Sequence, residues 1–242
     1  MLHYERFGSG PTVVCIHGFL GSSKIYENIR KDLAANFDTI LIDFAGHGNS
    51  RDVTVTPNIY AYAEQIAEVL QHENVASSTW IGHSMGGYIV LAALEKNIAV
   101  LDKAVLAYSS TSADSDDVKV KRDESIKKID AEGKKAFVDA IIPNFFKKNT
   151  DTKKIETGRQ IAYAASEEGL KTALLTMKGR PNQEALLNRL DIPVLIIEGT
   201  EDGVVPPIHT TNNNIMKVTT ETGHLGMIED PESFMRHLLK FI

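Results

Sequence analysis

Ser84 stands in I-G-H-S-M-G-G, residues 81–87, with Gly82 two positions before it and Gly86 two after. That is the G-x-S-x-G spacing of a nucleophile elbow, in which a sharp strand-to-helix turn presents a serine hydroxyl to substrate. A serine hydroxyl is a poor nucleophile until a base takes its proton, and the base needs an acid to orient it. The oxyanion that develops on attack needs preorganised N–H donors. The chain offers a candidate for each part. Asp202 lies in E-G-T-E-D-G-V-V-P and His224 in E-T-G-H-L-G. H-G-F-L-G-S, residues 17–22, is a glycine-rich loop with backbone N–H groups to offer an anion. The chemistry predicted by this set is acyl transfer through a serine.

These residues are far apart in sequence, so the fold must gather them. Short apolar runs at 12–16, 39–42, 79–81, 104–107 and 194–197 read as strands buried on both faces of a parallel sheet. A further strand is expected at 2–7 and another at 215–219. Helical patterns lie between them. Ile59, Tyr62, Ala63, Ile66, Val69 and Leu70 recur at helical spacing, with Thr56-Pro57 as the expected cap. Asp230-Pro231 opens a last helix with Phe234, Leu238 and Phe241 on its apolar face. The run 88–94 is apolar nearly all round, which places it centrally. Strand alternating with helix gives an α/β class, a mostly parallel, doubly wound sheet with right-handed crossovers. In such a sheet ligands meet the carboxyl ends of the strands. The H-G-F loop, Ser84, Asp202 and His224 each follow a predicted strand, the last three in the order Ser, Asp, His.

Residues 113–190 break the alternation. They are dense in Lys, Asp and Glu, hold no convincing strand, and read as helices with solvated charged faces. The expected organisation is therefore a core from 1–112 and 191–242, with 113–190 as an inserted helical cap.

Composition sets limits. The chain has 242 residues, 43% of them hydrophobic, and a net charge of −6, which argues against a nucleic-acid partner. Residues 1–8 are charged and lack the apolar core of a signal peptide. The uncharged stretch 74–94 holds Ser, Thr, His and glycines and is not read as a membrane span. The single cysteine, Cys15, allows no internal disulfide. A cytoplasmic location is expected. Cys15 and Trp80 read as core. Asp43 reads as a loop-holding carboxylate, and His17, His47 and His83 as motif or loop residues. No metal-ligand spacing and no phosphate-binding loop is present, so no cofactor and no metal are expected.

The chain resembles the α/β-hydrolases over nearly its whole length. The resemblance is carried by H-G-F at 17–19, D-F-A-G-H-G-N-S at 43–50, G-H-S-M-G-G at 82–87, G-T-E-D at 199–202 and G-H at 223–224. It implies Ser84 as nucleophile, His224 as base and then acid, and Asp202 as its orienter. It also implies an oxyanion hole from the backbone N–H groups of Phe19 and Met85. Some members take the acid from an earlier strand end; here that end reads A-Y-S-S-T, with no carboxylate before Asp114. Two departures are expected: one strand fewer at the first edge, and a truncated helix around 207–214. Substrate contacts are expected from Leu20 and from I-I-P-N-F-F, residues 141–146, through Phe145 and Phe146.

The function expected is a serine hydrolase acting on a small carboxylic ester, lactone or thioester through an acyl-enzyme. Its partner is a small molecule, with no membrane involved; the oligomeric state is left open. One alternative keeps the fold: the menaquinone-pathway enzyme that eliminates pyruvate, or a carbon–carbon bond hydrolase. The former usually has an arginine where this chain has Tyr88, although Arg159 and Arg180 lie in the expected cap. A second alternative is a non-catalytic ligand receptor on the same fold.

Overall fold

A computed structural model describes all 242 residues. Seven strands form one sheet: β1 (His3–Gly8), β2 (Thr12–Ile16), β3 (Asp38–Asp43), β4 (Ser78–His83), β5 (Leu101–Ala107), β6 (Val194–Gly199) and β7 (Ile215–Thr220). Their order across the sheet is β1-β3-β2-β4-β5-β6-β7. Only β1 runs antiparallel, pairing His3 with Asp43 through Gly8 with Asp38. The other neighbours are parallel. From β2 the chain winds outward to β3, returns to β4, and then proceeds the other way. The switch in winding falls between β2 and β4, where a crevice opens at the carboxyl ends.

The helices are α1 (Arg30–Asn36), α2 (Ile59–His72), α3 (Met85–Lys96), α4 (Asp116–Ile141), α5 (Thr152–Tyr163), α6 (Glu167–Gly179), α7 (Glu184–Leu187), α8 (Gly226–Glu229) and α9 (Pro231–Phe241). β4 is buried at every residue and α3 at its first nine, so this strand–helix pair forms the centre of the molecule. The stretch 74–94 is spent on it, and no helix is long and apolar enough to cross a membrane. The six apolar residues expected on the inner face of α2 are all buried. Burying one such side chain contributes about 1.5–3 kcal/mol. Trp80 and Cys15 are fully buried, and burial pushes the Cys15 thiol up.

Two local expectations need correction. The cap of α2 is Asn58, not Thr56: Asn58 is extended and its side chain accepts from the Tyr60 N–H, while Pro57 stays outside the helix. No helix forms around 207–214. Pro206 and Pro207 remove two N–H groups in succession, and Asn is a poor helix former. Side chains settle the loop instead: Asn188 accepts from the Thr211 N–H at 2.9 Å, and the Asn212 amide donates to the Leu187 and Leu190 carbonyls.

Four helices, α4 to α7, lie between β5 and β6. α4 bends at Gly133, whose φ of 78° breaks the helical path. Backbone hydrogen bonds tie the insertion to the core at three places, one of them from Gln183 N–H to Thr111 O at 2.7 Å. Ser166 N–H donates to Gly46 O, where a Cβ on Gly46 would sit 2.3 Å from Gly169 Cα. Phe145 O accepts from the His224 N–H at 2.8 Å.

Candidate active site

Ser84 links β4 to α3 with φ 51° and ψ −117°. This conformation costs a non-glycine residue on the order of 1–3 kcal/mol and persists only where its surroundings fix it. They do so here. Ser84 N–H donates to Ala107 O at 2.9 Å, and Ser84 O accepts from Gly87 N–H and the Ser109 hydroxyl, both at 2.8 Å. The glycines of the motif are steric necessities. A Cβ on Gly82 would lie 2.4 Å from Gly86 O, and one on Gly86 would lie 2.3 Å from Ile16 O.

The loop after β7 delivers His224 and the loop after β6 delivers Asp202. His224 Nδ1 is 2.8 Å from Asp202 Oδ2, and His224 Nε2 is 2.8 Å from Ser84 Oγ. A carboxylate only accepts, so Nδ1 carries the proton and Nε2 turns its lone pair to the serine. The second Asp202 oxygen accepts from the N–H groups of Val204 (2.8 Å) and Val205 (3.3 Å), which fixes the carboxylate plane. Close backbone packing holds the loop that carries His224: a Cβ on Gly223 would lie 2.6 Å from Lys147 N.

Two N–H groups border the serine without an acceptor inside the protein. Met85 opens α3, where the helix dipole favours an anion. Phe19 follows Gly18, whose Cβ, if present, would sit 2.8 Å from Ser84 Cβ. Neither Phe19 N–H nor Met85 N–H donates to any protein atom.

Three other histidines near the site act as struts. His17 Nδ1–H donates to Gly18 O and Nε2 accepts from Phe44 N–H; burial pushes its pKa down to about 4. Burial, helped by His17, lowers His47 to about 3, with Nδ1–H on Ala45 O. Burial holds His83 well below the ordinary range, and its Nε2–H donates to His224 O at 2.9 Å. Asp43 accepts from the N–H groups of Ser23 (2.6 Å) and Asn49 (2.9 Å), tying two loops together.

Above Ser84 the insertion and core enclose a cavity of about 310 Å³. Phe19, Tyr88, Phe137, Phe145 and Met177 supply apolar wall. Phe145 reaches the site, its ring edge-on to His224 with centroids 5.2 Å apart. Phe146 and Leu20 do not line the cavity. The backbone at Phe146 is extended (φ −108°, ψ 152°), so its ring turns away from that of Phe145 and packs on Gly158 of α5. Leu20 has φ 60° in a turn closed by Gly21 N–H to Gly18 O, which leaves Phe19 facing the cavity. Arg159 is also outside it, paired with Asp139 and Glu156.

Two features go beyond the sequence reading. Asp114, Arg122 and Arg180 cluster on the cavity wall, where the sequence offers Asp114 only as the first carboxylate past β5, Arg180 only as a cap arginine, and Arg122 only as one of many charges in 113–190. Glu229 is buried and its carboxylate accepts from Gly223 N–H (2.9 Å), Lys147 N–H (3.2 Å) and the Thr150 hydroxyl (3.1 Å). It thereby stitches the insertion to the loop that carries His224. Its signal in sequence was faint: one more acid just before the Asp230-Pro231 cap.

A family model described as "alpha/beta hydrolase fold" matches residues 11–231. An uncharacterized hydrolase of Bacillus subtilis, YugF, is 27% identical over 99% of this chain and 92% of its own length. A pimeloyl-[acyl-carrier protein] methyl ester esterase of Vibrio vulnificus is 22% identical over 99% of this chain and 97% of its own. Among solved structures, a thermophilic esterase from Thermogutta terrifontis superposes with a TM-score of 0.93 at 27% identity, covering 99% of this chain and 92% of that one.

Proposed function

The chain belongs to the alpha/beta hydrolase fold family, and from that premise we propose that it is a serine hydrolase cleaving small carboxylic esters through an acyl-enzyme. The observation that carries this reading is the continuous chain Ser84 Oγ, His224 Nε2, His224 Nδ1, Asp202 Oδ2, with 2.8 Å links, opening into the cavity. The esterase named among its relatives, and the esterase it superposes on, support the same bond type.

In the first half-reaction Ser84 Oγ attacks the ester carbonyl carbon as His224 Nε2 takes its proton. Negative charge moves to the carbonyl oxygen, which accepts from the Phe19 and Met85 N–H groups. Asp202 keeps the proton on Nδ1 and stabilises the imidazolium. The tetrahedral adduct collapses; the alkoxy group leaves with the proton from Nε2, and the acyl group stays on Ser84. In the second half-reaction water gives its proton to Nε2 and attacks the acyl carbon. Collapse returns that proton to Ser84 Oγ and frees the acid. The helices of 113–190 serve as a cap that shapes the acyl side of the cavity.

The pyruvate-eliminating alternative gains nothing at position 88, where the side chain is a buried tyrosine beneath Arg180. The test is hydrolysis of p-nitrophenyl acetate by the wild type and by Ser84→Ala. A fall on the order of 10⁴-fold or more is expected, because triad members act as a unit. Near-normal turnover by the folded variant would sink the reading.

A further inference from the structure

The hydrolytic steps make no use of the charge cluster on the cavity wall. Asp114 is buried, its side chain 3% exposed, between two guanidinium groups. Arg180, 6% exposed, donates from Nη1 to Asp114 Oδ1 and Met177 O, and from Nη2 to Ser112 O at 2.8 Å. Its Cζ lies 4.2 Å from the centre of the Tyr88 ring. Tyr88 stands one turn past Ser84, about 6 Å along the axis of α3. The cluster and the nucleophile therefore share one small space.

Arg122 is the unmatched member. Its Nε donates to Asp114 Oδ2 at 3.1 Å, which anchors the guanidinium. Its two Nη groups donate to no protein atom, and the side chain is 25% exposed. Among the cavity-lining residues the formal balance is two arginines against one aspartate. A single carboxylate cannot neutralise both, and Arg180 occupies it from the buried side. What remains is an oriented fork of N–H donors with surplus positive charge, the geometry that suits a planar carboxylate. Val118, Phe137 and Ile141 line the same cavity and give methylene groups an apolar bed. At about 310 Å³ it sits near the lower limit for ligand pockets, which restricts the chain to a short one.

We propose that the substrate is an ester whose acyl chain ends in a carboxylate, a half-ester of a short dicarboxylic acid, with Arg122 receiving the carboxylate while Ser84 meets the ester carbonyl. This rests on the esterase reading of the same site. Arg122 is a specificity-determining residue, Asp114 a positioning residue that holds it, and Arg180 the partner that pairs with Asp114 from the buried side.

The experiment compares monomethyl glutarate with methyl pentanoate, which match in chain length and differ in the terminal group. kcat/KM for both is measured with the full-length wild type, Arg122→Gln and Arg122→Lys, with melting checked for each. The wild type should prefer monomethyl glutarate. In Arg122→Gln the charged-to-neutral ratio should fall by roughly 10- to 100-fold, carried by KM, as for loss of a hydrogen-bonded ion pair. Arg122→Lys should keep part of the preference. A wild-type preference for methyl pentanoate, or a ratio unmoved in folded Arg122→Gln, would overturn the proposal. Should neither ester be hydrolysed, the esterase reading fails on its own, and calorimetry still decides the charge reading. In that assay Ser84→Ala should bind monomethyl glutarate more tightly than Ser84→Ala/Arg122→Gln does. Equal binding, or none to either, would overturn it.

Discussion

The two ends of the cavity are built by different means. At the core end Ser84, His224 and Asp202 hang from three strand ends, and backbone hydrogen bonds and glycine contacts fix each one. Its titratable neighbours are buried histidines held neutral. At the insertion end Asp114 comes from a loop, Arg122 from α4 and Arg180 from the residue that follows α6, and they hold one another through their side chains. A sheet edge places atoms well because its backbone is over-determined; helices joined by salt bridges can exchange residues without moving the sheet. On the proposed reading, bond cleavage falls to the core end and choice of substrate to the insertion end.

The sharpest way to break this division is to remove one carboxylate from each end. Asp202→Asn should lower turnover of p-nitrophenyl acetate by roughly 10³–10⁴-fold by holding His224 in the wrong tautomer. Asp114→Asn should act on stability instead, because it leaves two guanidiniums short of their counter-charge; breaking a buried pair costs about 3–5 kcal/mol. Turnover and chemical denaturation of both variants decide it. A larger catalytic loss in Asp114→Asn at equal folded fraction would put the acid at the other end.

Acid should act on the core end first. His17 and His47 have folded pKa values pushed down to about 4 and about 3, against an ordinary value near 6.5. Above about pH 6.5 both states leave them neutral and nothing is lost. As pH falls from there toward 4 the unfolded chain takes up protons that the folded one refuses. Stability then drops by up to about 1.4 kcal/mol per pH unit for each such histidine. Melting temperature against pH should fall steeply through that window, and less steeply in His47→Asn. A flat curve from pH 7 to 4.5 would refute the strut role of these rings.

The smallest effect separates two adjacent rings at the insertion end. Phe145→Ala should raise the octanoate-to-acetate ratio of kcat/KM at least several-fold, since each methylene admitted is worth up to ~0.8 kcal/mol. Phe146→Ala should lower the melting temperature and leave the ratio alone, because that ring packs on Gly158. Equal ratios in both folded variants would move the acyl pocket elsewhere.

The same division explains what could be read from the sequence. The meeting of Ser84, Asp202 and His224 was legible because strand ends punctuate the chain: each lies within three residues of a glycine, Gly82, Gly199 or Gly223, that follows a predicted strand. Phe145 and Phe146 could not be told apart, since one extended residue between a 3-10 turn and a loop decides which ring faces inward. The helix expected at 207–214 failed on Pro206-Pro207, whose two missing N–H groups outweighed the spacing. The clustering of Asp114, Arg122 and Arg180 was illegible for a different reason. Within a charge-dense helical segment a buried arginine has the same local signature as a solvated one. Only the packing of α4 against α6 brings these residues to one wall.

The most direct test of the central claim is covalent. A fluorophosphonate is mixed with the wild type, His224→Ala and Asp202→Asn, and adducts are mapped by peptide mass spectrometry. One rapid adduct is expected on Ser84 of the wild type, slowed by orders of magnitude in both variants. Rapid labelling of a different residue, or a Ser84 rate unchanged in folded His224→Ala, would contradict it.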